Sequence, residues 1–278
     1  MIKVGTSGYS YKDWKNLFYP PGTNSSSFLQ HYSTFFNIVE INSTYYHIPK
    51  PQMFAAMINK VPEDFSFVVK LSKQFTHERN KAEKKLDDYL TGISPLIHQD
   101  KLTTLLAQFP YSFKPSPDSF DHLKYLREVF QDIPINVEFR NEFWIKEETF
   151  EFLRDNDLGF VSVDMPRLPR LVPPIVRSTS SIGYVRFHGR VKKHWWNPPE
   201  PHMRYDYLYE EKELKEWIPK IEELSKQTGQ TLLFFNNHFQ AKSAKNAMEI
   251  SRLLELAPPE VAKNPDEMEL PDNQNRLI

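Results

Sequence analysis

Ile135-Asn136-Val137-Glu138-Phe139-Arg140 alternates apolar and polar side chains. Residues two apart on a β-strand share a face, so Val137 and Phe139 lie on one side of the strand and Glu138 and Arg140 on the other. The polar side carries its charges toward the C-terminal end of the segment. This arrangement is typical of a parallel α/β barrel, where helices cover the outer face and active sites lie at the C-terminal mouth.

Short runs of the same kind recur along the chain and predict eight strands. They begin near Ile2, Ile38, Phe65, Thr103, Ile135, Gly159, Ile182 and Thr231. Spacings of 23–49 residues are too long for hairpins and fit strand–helix–strand crossovers. One face of each strand carries the polar groups, and we expect these faces to point into the barrel. Toward the mouth they carry Ser7, Glu40, Asn42, Lys70, Gln108, Glu138, Arg140, Ser162, Asp164, Arg186, His188 and Asn236.

Apolar residues at three- and four-residue spacing predict helices between these strands. The predicted helices cover residues 27–36, 52–59, 84–97, 119–130, 147–156, 207–226 and 241–256, and the sixth crossover, residues 166–181, is predicted to be irregular. An open doubly wound sheet would not need polar groups inside every strand. We therefore predict a single (β/α)₈ TIM-type barrel over residues 1–256. The proline-rich residues 257–278 are predicted to form an extended or disordered tail.

The composition excludes several functional classes. The 278 residues contain no cysteine, so disulfides, thiolate metal sites and cysteine nucleophiles are excluded. Eight glycines form neither a Walker loop nor a G-x-G-x-x-G motif. A net charge of −1 argues against a general binder of nucleic acid or anionic membrane. The sequence shows neither a secretory signal pattern nor a membrane-spanning apolar run, so we expect a cytoplasmic protein without membrane contact.

A series of ordered motifs, mostly at strand ends, resembles one known family. The motifs are Gly5-Thr6-Ser7-Gly8-Tyr9-Ser10 with Trp14, Val39-Glu40-Ile41-Asn42-Ser43-Thr44-Tyr45-Tyr46, Lys70 with Thr76-His77, Gln108-Phe109-Pro110, Val137-Glu138-Phe139-Arg140 with Trp144, Arg186-Phe187-His188-Gly189-Arg190, Arg204-Tyr205-Asp206-Tyr207-Leu208-Tyr209 and Phe235-Asn236-Asn237-His238. They are similar to the YecE-like family, catalogued as domain of unknown function 72. The resemblance implies a TIM-type barrel without an established activity. Kinship with endonuclease IV-like and xylose isomerase-like barrels is an analogy of fold, and many chemistries share this fold.

The charged strand ends predict a polar pocket for a small anionic or sugar-like ligand. Arg140 and Arg186 are the predicted clamps for a phosphate or carboxylate, because their planar forks of donors fit such groups. Glu138 is the predicted principal acid–base residue of a hydrolase- or isomerase-like reaction, and Glu40, Asp164 and His188 are secondary candidates. The full predicted ligand-binding set is Asn42, Tyr45, Lys70, His77, Gln108, Arg140, Arg186, Asn236 and Asn237.

Several alternatives compete with this interpretation. The charges could form a structural ion-pair network inside the barrel. No cofactor is predicted, but Glu138, Asp164 and His188 could hold a single divalent metal, as a hydrolase related to endonuclease IV-like barrels would require. The basic and aromatic segment from Arg186 to Trp196 could bind nucleic acid or a protein without catalysis, or it could be a lid whose tryptophans pack on nearby tyrosines. The nucleic-acid alternative is not favoured, and no oligomeric state is predicted.

Overall fold

Eight parallel strands alternate with helices in the computed structural model, which describes residues 1–79, 83–193 and 195–259. Each strand begins within one residue of its predicted start. The strands are β1 Ile2–Thr6, β2 Ile38–Ile41, β3 Ser66–Lys70, β4 Leu102–Gln108, β5 Ile135–Glu138, β6 Leu158–Asp164, β7 Ile182–Phe187 and β8 Gln230–Phe235.

The helices pack outside the sheet, and most of them overlap the predicted segments, whereas the short helix Lys73–Thr76 was not predicted. They are α1 Phe28–Tyr32, α2 Pro51–Ile58, α3 Lys73–Thr76, α4 Glu83–His98, α5 Pro117–Val129, α6 Glu147–Asp155, α7 Glu211–Lys215, α8 Ile218–Gln227 and α9 Lys242–Leu253. The prediction of one helix over residues 207–226 is wrong. Pro219 cannot donate a backbone hydrogen bond, so a first helix ends before it and α8 begins around it. Residues 166–181 contain no helix, as predicted.

The sheet forms a barrel that is nearly, not fully, closed. The strand order β1-β8-β7-β6-β5-β4-β3-β2 leaves β1 and β2 as the two ends of the ladder. The hydroxyl of Tyr32 bridges them, because it accepts from the backbone nitrogen of Thr6 at 2.8 Å and donates to the carbonyl of Ile38 at 3.1 Å. A Cβ at Gly5 would lie 2.4 Å from that carbonyl oxygen, so this close approach requires glycine.

Strand register fixes which residues face the barrel interior. Residues paired across a parallel ladder share a face, and Arg186 pairs with Val163 and with Phe234. Chains of such pairs place Glu40, Lys70, Gln108 and Glu138 on the same face as Arg186, as predicted.

The predicted orientation of the sixth strand is wrong. The ladder puts Val161 and Val163 inside and therefore turns Ser162 and Asp164 outward, toward the helices. The polar side chains of β6 face away from the barrel interior, in contrast to those of the neighbouring strands.

The C-terminal region is only partly described. The predicted tail, residues 257–278, lies outside the described residues from position 260 onward, so its separation from the barrel stays a prediction. In the described ranges no helix is long and apolar enough to cross a membrane.

Candidate functional site

A buried arginine at the end of β7 links two buried glutamates. Arg186 donates from Nη2 to Oε1 of Glu40 at 2.7 Å and from Nε to Oε2 at 2.8 Å. Its Nη1 donates to Oε2 of Glu138 at 2.5 Å. The side chains are at most 1% exposed, so one guanidinium joins β2, β5 and β7 across the barrel.

Glu40 is held as a carboxylate by its donors. Besides Arg186, it accepts from the hydroxyl of Tyr184 at 2.6 Å and from Nδ2 of Asn42 at 2.9 Å. Burial alone would raise the pKa of Glu40, but the charge and hydrogen bonds of Arg186 outweigh burial and lower it. The carboxylate of Glu40 is therefore ionised at neutral pH, and each of its two oxygens accepts two hydrogen bonds.

Glu138 lies between two arginines and a histidine. Its Oε1 is 2.5 Å from Nε of Arg140 and 3.3 Å from Nε2 of His188. The contact with Arg140 is an ion pair, and none of the three atoms makes a well-aligned hydrogen bond. Burial would raise the pKa of Glu138, but Arg140 and Arg186 hold it well below its usual range.

His188 lies beneath the mouth and is fully buried, not at the rim as predicted. Burial, followed by the charge of Arg140, lowers the pKa of His188 to about 3, so the ring is neutral. Nδ2 of Asn236 lies 3.1 Å from Nδ1 of His188. Because an amide nitrogen donates, Nδ1 accepts in this contact, so the neutral ring carries its hydrogen on Nε2, the atom that lies 3.3 Å from Oε1 of Glu138.

Lys70, at the end of β3, is the cation of this cluster that has no carboxylate partner among the described residues. Its Nζ donates to Oε1 of Gln108 at 2.8 Å and lies 4.6 Å from the centroid of the Tyr45 ring. Burial, followed by repulsion from Arg186, lowers the pKa of Lys70 to about 7. The amine therefore exchanges a proton near neutral pH.

A cavity of about 720 Å³ opens above this cluster at the C-terminal mouth. Four cationic side chains line it, and no aspartate or glutamate of the described residues does so. The cationic side chains are Lys60, Lys70, Arg140 and Arg186. Tyrosines, including Tyr11, Tyr45, Tyr46 and Tyr205, form much of the remaining wall. The two buried glutamates lie beneath this lining, so the surface offered to a ligand is cationic and aromatic.

Comparison with known proteins identifies the family. The family described as "Protein of unknown function DUF72" matches residues 3–273. The chain belongs to the DUF72 family. This confirms the resemblance drawn from the motifs at the strand ends. The family description names no activity, and many chemistries share this barrel fold.

Relatives of known sequence and structure span nearly the whole DUF72 chain. It is similar to the UPF0759 protein YunF of Bacillus subtilis (strain 168), with 31% identity over 272 residues, or 92% of this chain and 95% of that protein. A DUF72 family structure from Thermotoga maritima has 41% identity and a TM-score of 0.85, covering 92% of this chain and 99% of that one. One from Enterococcus faecalis has 26% identity and a TM-score of 0.83, covering 92% and 96%.

Asp164 belongs to a second network, outside the barrel interior. Its carboxylate accepts from Arg190 at 2.7 and 2.9 Å, from the hydroxyl of Tyr209 at 3.1 Å and from Nε1 of Trp217 at 2.5 Å. Because β6 turns this side chain outward, the predicted metal set of Glu138, Asp164 and His188 is not brought together. The described part of the DUF72 chain has no group of three or more histidines and carboxylates that could hold a metal ion.

Several predicted ligand-binding residues line the cavity and two do not. Asn42, Tyr45, Lys70, Gln108, Arg140, Arg186 and Asn236 line it. Asn237 is buried and donates to the carbonyl of Tyr207 at 2.7 Å and to Asn246 at 2.9 Å. His77 packs its ring edge-on against Tyr45 at 5.0 Å. Lys60 follows α2, carries no strand-end signal and was not predicted as a site residue, and neither was Arg190, the main partner of Asp164.

The two tryptophans of the basic segment have different environments. Trp195 is buried near Tyr205, with ring centroids 6.5 Å apart, as the packing alternative predicts. Trp196 is 52% exposed and contacts Tyr111 edge-on at 4.8 Å. His194 lies outside the described residues, and binding of nucleic acid by this segment stays a prediction.

Proposed function

We propose that this chain binds a small anionic molecule with a sugar-like body in the cavity at the barrel mouth. The observation that carries the proposal is the lining, with four cations and no carboxylate among its described residues. A volume of about 720 Å³ is within the usual range for small-molecule sites. A phosphate or carboxylate would supply the charge that the lining lacks.

The balance of buried charge supports the same ligand class. Beneath the cavity, Glu40 and Glu138 face Arg140, Arg186 and Lys70, which leaves one positive charge in excess when the lysine is protonated. Burying a charge without a partner is costly, so a bound anion would stabilise the site. The glutamates orient the arginine forks, and the remaining guanidinium donors can bind the anion.

The other wall residues support a hydroxylated body next to the anionic group. The side-chain amides of Asn42, Gln108 and Asn236 line the cavity and can exchange hydrogen bonds with hydroxyl groups. The rings of Tyr45 and Tyr46 offer apolar surface on which a sugar face can pack. This combination of amides and rings favours a phosphosugar over a purely apolar acid.

Acid–base chemistry in this cavity would centre on Lys70 rather than on the glutamates. Glu138 and Glu40 have lowered pKa values and lie behind the arginines, so neither can donate a proton to a ligand at neutral pH. A pKa of about 7 gives Lys70 the protonation behaviour that general acid–base catalysis needs. Hydrolase- or isomerase-like chemistry is therefore proposed through Lys70, without a metal step.

Calorimetric titration with glucose 6-phosphate, with glucose as the uncharged control, tests the proposal. We expect the phosphate ester to bind and glucose to bind far more weakly. Arg140→Gln removes one charged partner and should weaken binding about tenfold. The exposed Arg177 does not line the cavity, so Arg177→Gln is the matched control and should leave affinity unchanged.

Two results would contradict the proposal. One is equal affinity for glucose and its phosphate ester, and the other is an unchanged affinity in Arg140→Gln. Binding of an oligonucleotide at low salt, without any binding of the phosphate ester, would instead favour the nucleic-acid alternative.

A further inference from the structure

Lys70 presents its amine to the mouth cavity. Its Nζ is held by two uncharged partners, Gln108 at 2.8 Å and the ring of Tyr45 at 4.6 Å, and no carboxylate in the described ranges lies within ion-pairing distance of it. Arg140 and Arg186, which line the same cavity, pair with glutamates instead. These contacts hold the amine in position, but they supply no negative charge that would keep it protonated.

The charges around Lys70 keep a substantial fraction of the amine neutral. The titratable and charged groups that interact electrostatically with Lys70 come from four neighbouring parts of the barrel. They are Glu40 on β2, Glu138 and Arg140 from β5, Arg186 on β7 and His77 after α3. Burial and the arginines outweigh the two glutamates, and His77 is itself neutral, with a pKa lowered to about 4 by burial and then by Lys70. A desolvated lysine beside other cations is an activated amine nucleophile.

We infer that Lys70 forms an imine with the carbonyl carbon of an anionic aldehyde or ketone bound in the mouth cavity. The inference rests on the proposed function, because the arginines would hold the anionic group while its carbonyl faces Nζ. The nitrogen lone pair attacks the carbonyl carbon, and the oxygen takes up a proton that the nitrogen loses, which gives a carbinolamine. The C–O bond then breaks, the hydroxyl leaves with the second amine proton as water, and the C=N bond forms.

Pyridoxal 5′-phosphate is a suitable probe, since it combines a phosphate with an aldehyde. The protein is incubated with the probe near neutral pH and reduced with borohydride, and the labelled peptide is identified by mass spectrometry. We expect a single label on Lys70. Lys70→Arg keeps the charge and removes the nucleophile, so it should lower labelling by about tenfold or more. Lys226→Arg changes an exposed lysine outside the lining and should label like the unchanged protein.

Pyridoxine 5′-phosphate, which has an alcohol in place of the aldehyde, separates this inference from the proposed function. Binding of the alcohol by both the unchanged protein and Lys70→Arg, together with a Lys70-specific label from the aldehyde, supports both. Binding of the alcohol without an imine at Lys70, or labelling spread over exposed lysines, overturns the inference and leaves the proposed function standing. Failure of both compounds to bind overturns the inference, and it overturns the proposed function as well if glucose 6-phosphate also fails to bind.

Discussion

Arg186→Met removes the cation that joins the two buried glutamates and should invert the pH dependence of stability. Glu40 has no other ion-pair partner among the residues the structure describes, whereas Glu138 keeps Arg140 at 2.5 Å. Methionine fills a similar volume without charge, so the substitution mainly leaves Glu40 uncompensated. Breaking a buried pair in this way costs about 3–5 kcal/mol of unfolding free energy.

The sign of the pH effect follows from the pKa values. In the unchanged protein, the pKa values of Glu40 and Glu138 lie below the ordinary value of 4.5. Their stabilising contribution is therefore present above that value and is lost as pH falls through the folded pKa. Without Arg186, burial raises the pKa of Glu40 above its unfolded value. The variant should then lose stability as pH rises, and its deficit should be largest at neutral pH.

Urea unfolding at about pH 5 and about pH 7.5 measures both effects, and the melting temperature should fall by about 6–20 °C at the higher pH. Tyr184→Phe is the matched control, because it removes a donor of Glu40 and keeps the charge pair. It should cost about 1.5–3 kcal/mol without inverting the pH slope. Adding Glu40→Met to Arg186→Met should restore part of the stability at neutral pH. An equal deficit at both pH values, or a further loss in the double variant, would refute the reasoning.

Three further expectations concern the cavity, the second network and the barrel interior. Sulfate should bind about tenfold more tightly at about pH 6 than at about pH 8.5, because Lys70 is charged below its pKa of about 7. Calorimetry measures this pH dependence, and Lys70→Arg should abolish it. Asp164→Asn should lower the urea-derived unfolding free energy by about 3 kcal/mol and leave sulfate affinity nearly unchanged, so a large loss of affinity would contradict its placement outside the site. Gly159→Ala places a Cβ 2.1 Å from Nδ2 of Asn136, so it should lower the free energy of urea unfolding by about 1–3 kcal/mol. Adding Asn136→Ala should restore part of this stability, and no restoration would contradict the steric explanation.

Local sequence patterns were sufficient for the strands and most helices, because each strand carries its own alternation and its own polar end. They failed on β6, where the polar side chains do not point into the barrel. Ser162 and Asp164 were assigned to the interior because polar residues on the other strands face inward. In β6 they face outward, where the donors of Asp164 come from Arg190, Tyr209 and Trp217. Those donors lie 26, 45 and 53 residues away, beyond the reach of any periodicity.

The candidate site shows the same limit in its chemistry. The sequence places four charged residues at strand ends, Lys70, Glu138, Arg140 and Arg186. It does not distinguish their roles, because a position at the mouth does not show which charges pair. Arg186 pairs with Glu40 and Glu138, which lie 146 and 48 positions away, and this pairing lowers the pKa of both glutamates. Lys70 differs from the arginines because it pairs with no carboxylate of the described residues, and this becomes visible only after the other charges have been placed. Lys70, the residue that we propose reacts, is thus the one that forms no ion pair with the buried glutamates.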